Sequence, residues 1–319
     1  MKALITGITG FVGGHLAQHL LLAGDEVLGA SQNGAWSAEF SLPIPIVACD
    51  LAFDLAPDFI AAVDAFAPEV IYHLAAFSIP GDCAATTSDT GGDPNAAALN
   101  MNVAGVARVI RLASNLRKRP RIIFTSSGHV YGPVDVDRPV VDEDQPCVPR
   151  SAYGRTKLAA EDLCYKAVRD DGADIVIVRS FPQAGARQDP RLMLAEWSRA
   201  LAGDAPELLV GNDAVTVDLV DVRDAVRALR LLALHGASGS AYNVGSGTTR
   251  TTGELLAMLQ RTAGDSRPVR ARSHERCSDA VADIGRLQAA TGWKPEIEIE
   301  RTVADVWNYW RERIRGQSN

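Results

Sequence analysis

The sequence predicts an α/β protein, a doubly wound parallel sheet carrying a smaller C-terminal α/β lobe. Short apolar, β-prone runs alternate with helical patterns from Ala3 to Arg179, which is the rhythm of strands joined by crossover helices. A glycine-spaced loop lies between the first such run and the first helix. The chain has 319 residues, 47% of them hydrophobic and 22% charged; that is ordinary globular composition and exceeds one average domain of about 150 residues. The expected division gives residues 1–181 and 215–245 to the sheet and residues 182–214 and 246–319 to the lobe, with a cleft between them.

Taken in order, Ala3-Leu4-Ile5-Thr6 reads as a buried strand, Gly14 to Leu22 as a helix ended by Gly24-Asp25, and Glu26 to Ala30 as the next strand. Between the first two lies Gly7-Ile8-Thr9-Gly10-Phe11-Val12-Gly13. Glycines there permit a tight turn and close backbone approach to a pyrophosphate, whose charge faces the helix N-terminus, so the segment reads as a Rossmann-type dinucleotide loop. Its Gly-x-x-Gly-x-x-Gly spacing resembles the extended short-chain dehydrogenase/reductase family, which includes many sugar-nucleotide enzymes. The resemblance implies NAD or NADP as cofactor. Neither a carboxylate for the ribose of NAD nor an arginine for the phosphate of NADP occurs in Ser31-Gln32-Asn33-Gly34, so the choice between the two stays open. Asp50-Leu51, after the apolar run Ile46–Cys49, matches the position of an adenine-contacting aspartate. Val70 to Ala76 reads as a fourth strand whose end, Leu74-Ala75-Ala76, lets the cofactor lie close; His73 reads as a packed strand histidine.

Arg121 to Ser127 reads as a strand ending in hydroxyl residues, followed by Gly128-His129-Val130-Tyr131-Gly132. Tyr153 and Lys157 open a later helix, four residues apart and so on one face. A free phenol has a pKa of about 10, and a nearby ammonium favours the phenolate. The expectation is a Tyr153 tuned toward neutral that moves a proton at a carbohydrate oxygen while hydride moves to or from nicotinamide. Ser127 would hold the same oxygen, and Lys157 would also reach the nicotinamide ribose.

The likeness extends over nearly the whole chain, through Asn102-Val103-Ala104-Gly105, Ser126 to Gly132, Asp221 to Asp224, Tyr242 to Gly247 and Thr291 to Pro295. Within the family the chain most resembles the GDP-4-keto-6-deoxymannose reductases, which make GDP-rhamnose. The resemblance implies cofactor contacts from Gly7, Thr9, Gly10, Phe11, Val12, Gly13, Ser31, Asn33, Asp50, Leu51, Leu74, Ala75, Ala76, Asn102, Thr125, Ser126, Tyr153, Lys157 and Phe181. It implies substrate contacts from Ser78, Ser127, Gly128, His129, Tyr153, Gln183 and Arg187, catalysis by Ser127, Tyr153 and Lys157, and no metal. Two helices, near Asn95–Arg117 and Ala152–Arg169, match the pair through which the family forms a homodimer.

Gly128 and His129 stand where the family's 4,6-dehydratases carry an Asp-Glu pair, which argues against dehydration. Three further departures bear on the substrate. Pro182 replaces the usual asparagine, Val217 replaces an arginine that grips the substrate diphosphate, and Arg270 to Arg276 blurs a phosphate-holding Arg-Pro-x-Glu element. Losing a bidentate arginine contact weakens binding; Arg187, Arg272 and Arg276 are the candidates to compensate. The leading expectation is a ketone reductase of a GDP-linked 4-keto-6-deoxy sugar. A 4-epimerase, an enzyme of a sugar-like substrate without diphosphate, and a non-catalytic NAD(P) sensor are the alternatives.

The formal charge of −7 gives no basic footprint for nucleic acid. Five cysteines lack Cys-x-x-Cys spacing, as in reduced cytosolic proteins; Cys83, in a polar stretch, is the candidate for an exposed thiol. No run reaches the ~18 apolar residues of a membrane span, and the first strand leaves no room for a signal peptide. A cytoplasmic enzyme is expected. The polar, glycine-rich stretch Pro80–Pro94 reads as a loop, either a lid or an insertion without a role.

Overall fold

The computed structural model describes residues 1–36, 40–84, 93–203 and 206–317. Its centre is a seven-stranded, all-parallel sheet in the order β12-β7-β5-β4-β1-β2-β3. The strands are β1 (Lys2–Thr6), β2 (Glu26–Ser31), β3 (Ile46–Ala48), β4 (Val70–His73), β5 (Arg121–Ser127), β7 (Ile175–Ser180) and β12 (Ala241–Val244). β1, β4, β5 and β7 are continuous apolar runs because the sheet is covered on both faces. One face packs on α1 (Phe11–Leu22) and α8 (Val222–His235), the other on α2 (Pro57–Phe66), α5 (Gly105–Asn115) and α6 (Ala152–Asp171). The chain builds outward from β1 to β3, then returns to the opposite side of β1 for β4 and onward. That reversal leaves a crevice beyond the strand ends between β1 and β4, the place where such sheets bind ligands.

One expected element is corrected. β4 ends at His73, so Leu74–Ala76 forms a turn rather than strand. The helix expected near Asn95–Arg117 is present as an unbroken helical stretch over residues 96–115, made of α4 (Ala96–Leu99, after the short α3, Pro80–Cys83), a π-helical turn at Asn100–Ala104, and α5. A π turn inserts an extra residue into the helical ladder, which alters the direction of the side chains it carries; Asn102 thereby becomes buried.

A second core lies beyond the sheet. It joins Leu194, Trp197 and Leu201 of α7 (Met193–Ala202), Leu255 and Leu259 of α9 (Thr252–Ala263), and Val303, Trp307 and Trp310 of α11 (Ile299–Gln317). Small pairings frame it: β8 (Gln183–Ala184) with β11 (Val220–Asp221), β9 (Leu208–Asn212) with β14 (Val269–Ser273), and β10 (Val215–Val217) between β13 (Arg250–Thr251) and β15 (Cys277–Ser278). β6 (Val140–Val141) pairs with β16 (Val281–Ala282). α10 (Gly285–Thr291) and Trp293 pack instead on the main sheet, beside α1 and α8.

Candidate active site

The glycine loop is sterically obligatory. Gly7 takes φ 74°, and a Cβ there would stand 2.8 Å from the Ala75 backbone nitrogen; one on Gly13 would stand 2.2 Å from the Gly7 carbonyl oxygen. Gly10 caps α1 without a side chain, so the first-turn N–H groups keep no internal side-chain partner and face the crevice as an anion site. Thr6 Oγ1 shares a 2.8 Å hydrogen bond with His73 Nδ1 and accepts from the Ala75 nitrogen, tying β1 to the Leu74–Ala76 turn. His73 is fully buried and burial depresses its pKa to about 3, so it is a neutral packing residue.

Ser31 Oγ at the end of β2 and Thr125 Oγ1 near the end of β5 are buried hydroxyls without partners among the described residues. Between β2 and β3 opens a cavity of about 250 Å³ lined by Gln32, Cys49, Asp50, Phe53 and Leu55. Gln32, to which the sequence assigned no part, donates to Asp50 Oδ2 at 2.8 Å, and the Ala52 nitrogen donates to Oδ1. A largely apolar slot carrying Asp50 and Asp54 at the β2 end, a bare helix N-terminus at the centre and orphaned hydroxyls at both ends fit a dinucleotide laid across the crevice. Thr9 and Asn33 are exposed beside it, while Leu51 is buried. Asn102 accepts from the Phe77 nitrogen at 2.8 Å and donates to the Phe77 oxygen and Thr156 Oγ1, which clamps the turn after β4 onto α6.

β5 delivers Ser127 and α6 delivers Tyr153 and Lys157. Ser151 caps α6 by accepting from the Gly154 nitrogen, fixing the first turn that carries Tyr153. Ser127 lies close enough to Tyr153 to favour its phenolate, and Ser127 Oγ accepts from the His129 nitrogen at 3.2 Å. Lys157 Nζ donates to the Thr125 carbonyl at 2.8 Å and lies 5.8 Å from the centre of the Tyr153 ring. The expected drift of Tyr153 toward neutral is corrected: burial pushes the phenol up to about 12, against the opposing pull of Ser127. Burial likewise lowers Lys157 to about 8. Desolvation outweighs the mutual help of the two groups, because the ammonium serves a carbonyl rather than the phenol oxygen.

A buried network that the sequence reading missed supports this pair. Glu161, one turn beyond Lys157, accepts from Ser126 Oγ at 2.5 Å and forms a bidentate pair with Arg179. Arg179 also donates to Tyr131 Oη and the Glu143 carbonyl, and Tyr131 donates to Asn243 Oδ1 at 2.6 Å. The signal was present: Tyr153, Lys157 and Glu161 recur at four-residue spacing.

Among the residues expected to face a substrate, Ser78 is exposed and Gly128 packs under the buried Phe181 ring, where a Cβ would come within 3.2 Å. His129 stands edge-on to Tyr153, ring centres 5.7 Å apart, accessible in a crowded cleft; the surrounding protein lowers its pKa and Asp279 opposes that. Gln183 donates to Ser180 Oγ, leaving Oε1 buried without a partner among the described residues. Arg187 lies elsewhere, its guanidinium 3.5 Å over the Phe40 ring and beside Gly14 of α1. Val217 is buried in the second core and Arg276 pairs with Asp137 at 2.9 Å. Cys83 is corrected: its thiol is buried against Ala98, Ala152 and Tyr153 and donates to the Phe77 oxygen. Residues 85–92 of the expected loop lie outside the described residues. No helix among the described residues is long and apolar enough to cross a membrane.

A glycine loop at the switch point of a parallel sheet, with Ser127, Tyr153 and Lys157 gathered at the end of β5 and the start of α6, defines an extended short-chain dehydrogenase/reductase. The chain belongs to the NAD dependent epimerase/dehydratase family, whose sequence model matches residues 3–245. It is an NAD(P)-dependent oxidoreductase or epimerase within the nucleotide-sugar branch of that family. It is 29% identical to a GDP-6-deoxy-D-mannose reductase of Pseudomonas aeruginosa over 98% of both chains, and 28% identical to a UDP-glucose 4-epimerase of Mycolicibacterium smegmatis over 98% of this chain and 99% of the other. The structure of RMD from Pseudomonas aeruginosa complexed with NADPH matches with a TM-score of 0.81 at 27% identity, over 98% of this chain and 99% of that one.

Proposed function

We propose that the protein reduces the ketone of a 4-keto-6-deoxy nucleotide sugar, GDP-linked, with NADPH or NADH, and that Tyr153 is the general acid. The observation that carries this reading is the Ser127–Tyr153 pair with its phenol held protonated, since a ketone reduction needs a proton donor at neutral pH. When bound, the nicotinamide supplies the hydride. Tyr153 Oη gives its proton to the carbonyl oxygen, Ser127 Oγ orients that oxygen, and Lys157 holds the nicotinamide ribose. Ser78, Gly128, His129 and Gln183 face the sugar, and residues 182–214 with much of 246–319 form the substrate lobe. The relative of like extent in Pseudomonas aeruginosa supports the substrate class.

A 4-epimerase is the second reading, favoured by the nearly equal likeness to UDP-glucose 4-epimerases. A homodimer through α5 and α6 and a cytoplasmic setting go with either. Incubation with NADPH or NADH and a panel of 4-keto-6-deoxy nucleotide sugars, following nicotinamide absorbance and product mass, tests the proposal. Stoichiometric cofactor loss with a gain of two hydrogens supports the reductase. No consumption across the panel, with an interconverted 4-hydroxyl on a nucleotide sugar, supports the epimerase.

A further inference from the structure

We propose that a cavity behind the dinucleotide loop, walled by Arg187, Arg199 and Arg313, is a second site that binds a small phosphate-bearing molecule. It has a volume of about 330 Å³ and lies between the Arg187–Pro190 loop, the outer side of α7 and the last turns of α11. Small-ligand sites begin at about this size. None of its lining residues belongs to the Ser127–Tyr153–Lys157 cluster.

Two guanidinium groups of the wall, those of Arg187 and Arg199, have no counter-ion among the described residues. They rest instead on aromatic rings, Arg187 at 3.5 Å from the centre of Phe40 and Arg199 at 5.4 Å from that of Trp310. Arg313, the third guanidinium of the wall, donates to Tyr309 Oη. The wall has one carboxylate, Asp189, and Arg191 binds it at 3.1 Å. A cationic hollow of this kind stands out in a chain of net charge −7.

Two residues of the wall also bury a polar atom that has no partner among the described residues. Gln188 Nε2 donates to the Gln183 oxygen at 2.6 Å, but its Oε1 accepts nothing. Trp310 Nε1 donates to nothing. Both residues are more than nine-tenths buried, at 6% and 7% exposure, where an unmet donor or acceptor is costly and calls for an explanation. Arg187 itself takes φ 72°, a left-handed backbone that a long side chain rarely adopts and that recurs at ligand clamps. Planar guanidinium forks suit phosphate oxygens, and a phosphate near its second ionisation carries the charge that two unpaired arginines call for. The Trp310 ring positions the Arg199 guanidinium.

Arg187 also flanks Gly14 in the cofactor helix, so the test is made on protein saturated with NADP. Glucose 1-phosphate, inorganic phosphate and glucose are titrated by calorimetry into the wild type, Arg199→Gln and Trp310→Phe. Arg199 is exposed and outside the catalytic cluster, so its replacement leaves folding and turnover unchanged. Both anions should saturate one site and glucose should not. Arg199→Gln should weaken the anions about tenfold and Trp310→Phe severalfold, each with cofactor affinity intact. Absence of saturable anion binding, binding of glucose as tight as its phosphate, or unchanged affinity in Arg199→Gln would overturn the site. The proposal does not rest on the reductase reading: a chain inactive on every keto sugar that still binds phosphate here keeps it.

Discussion

Glu161 and Arg179 meet at 2.9 Å beneath the active site, their side chains 0% and 6% exposed. The pair joins α6, which carries Tyr153 and Lys157, to β7, while Ser126 hangs from the same carboxylate. A buried pair of this kind is a poor source of stability but is damaging to break, because one charge is left alone. Glu161→Gln should cost about 3–5 kcal/mol by denaturant unfolding. A loss under 1 kcal/mol would show that the two charges are not buried together.

Tyr153→Phe removes the proton donor and little else. Turnover should fall about a thousandfold or more, with cofactor affinity by fluorescence titration unchanged within twofold. Retained activity would remove Tyr153 from the chemistry.

The lysine gives stability a distinctive pH dependence. Lys157 titrates at about 8 in the folded chain, against its ordinary value of 10.5. Between those values the unfolded chain binds more protons, so this group's contribution to stability rises with pH. From pH 8 to 9 the cofactor-free wild type should gain about 1 kcal/mol relative to Lys157→Met. A difference that stays flat or falls would mean that Lys157 keeps an ordinary pKa.

Gly13 and Gly14 are adjacent, yet their replacements should differ. A Cβ on Gly13 meets backbone at 2.2 Å, whereas one on Gly14 meets the ends of the Arg187 and Phe40 side chains at 3.1 Å. Gly13→Ala should lower cofactor affinity about a hundredfold, or about 2.7 kcal/mol. Gly14→Ala should lower it less than threefold, as side-chain ends can yield. Equal losses would contradict the loop geometry.

Cys83 should resist thiol reagents in the native protein and react only on unfolding, since burial both hides the sulfur and raises its pKa. Mass mapping after brief alkylation checks this.

Features encoded by local pattern were legible in the sequence. The glycine spacing, the hydroxyl-ended strand and the Tyr153–Lys157 interval each need only a few consecutive residues. What escaped depends on residues brought together by topology. Glu161 and Arg179 are 18 positions apart and meet because β7 lies beside β5. Asp218, one residue beyond the noted Val217, collects the nitrogens of Ser246 and Gly247 after β12 and of Ala282 in β16. Cys83 looked solvent-facing from its polar neighbours, but the short helix Pro80–Cys83 turns it under Tyr153. The tuning of Tyr153 was misjudged because adjacency on a helix face does not say where an ammonium donates.

Trp293 is fully buried against the first sheet, its indole nitrogen donating to the Asp224 carbonyl at 3.1 Å, while the Asp224 carboxylate receives the nitrogens of Glu296 and Ile297. A ribosome must therefore deliver some fifty residues beyond the last strand of that sheet, which ends at Val244, before α8 gains its outer cover. The nucleotide-binding half thus completes its helical cover only with the tail of the chain.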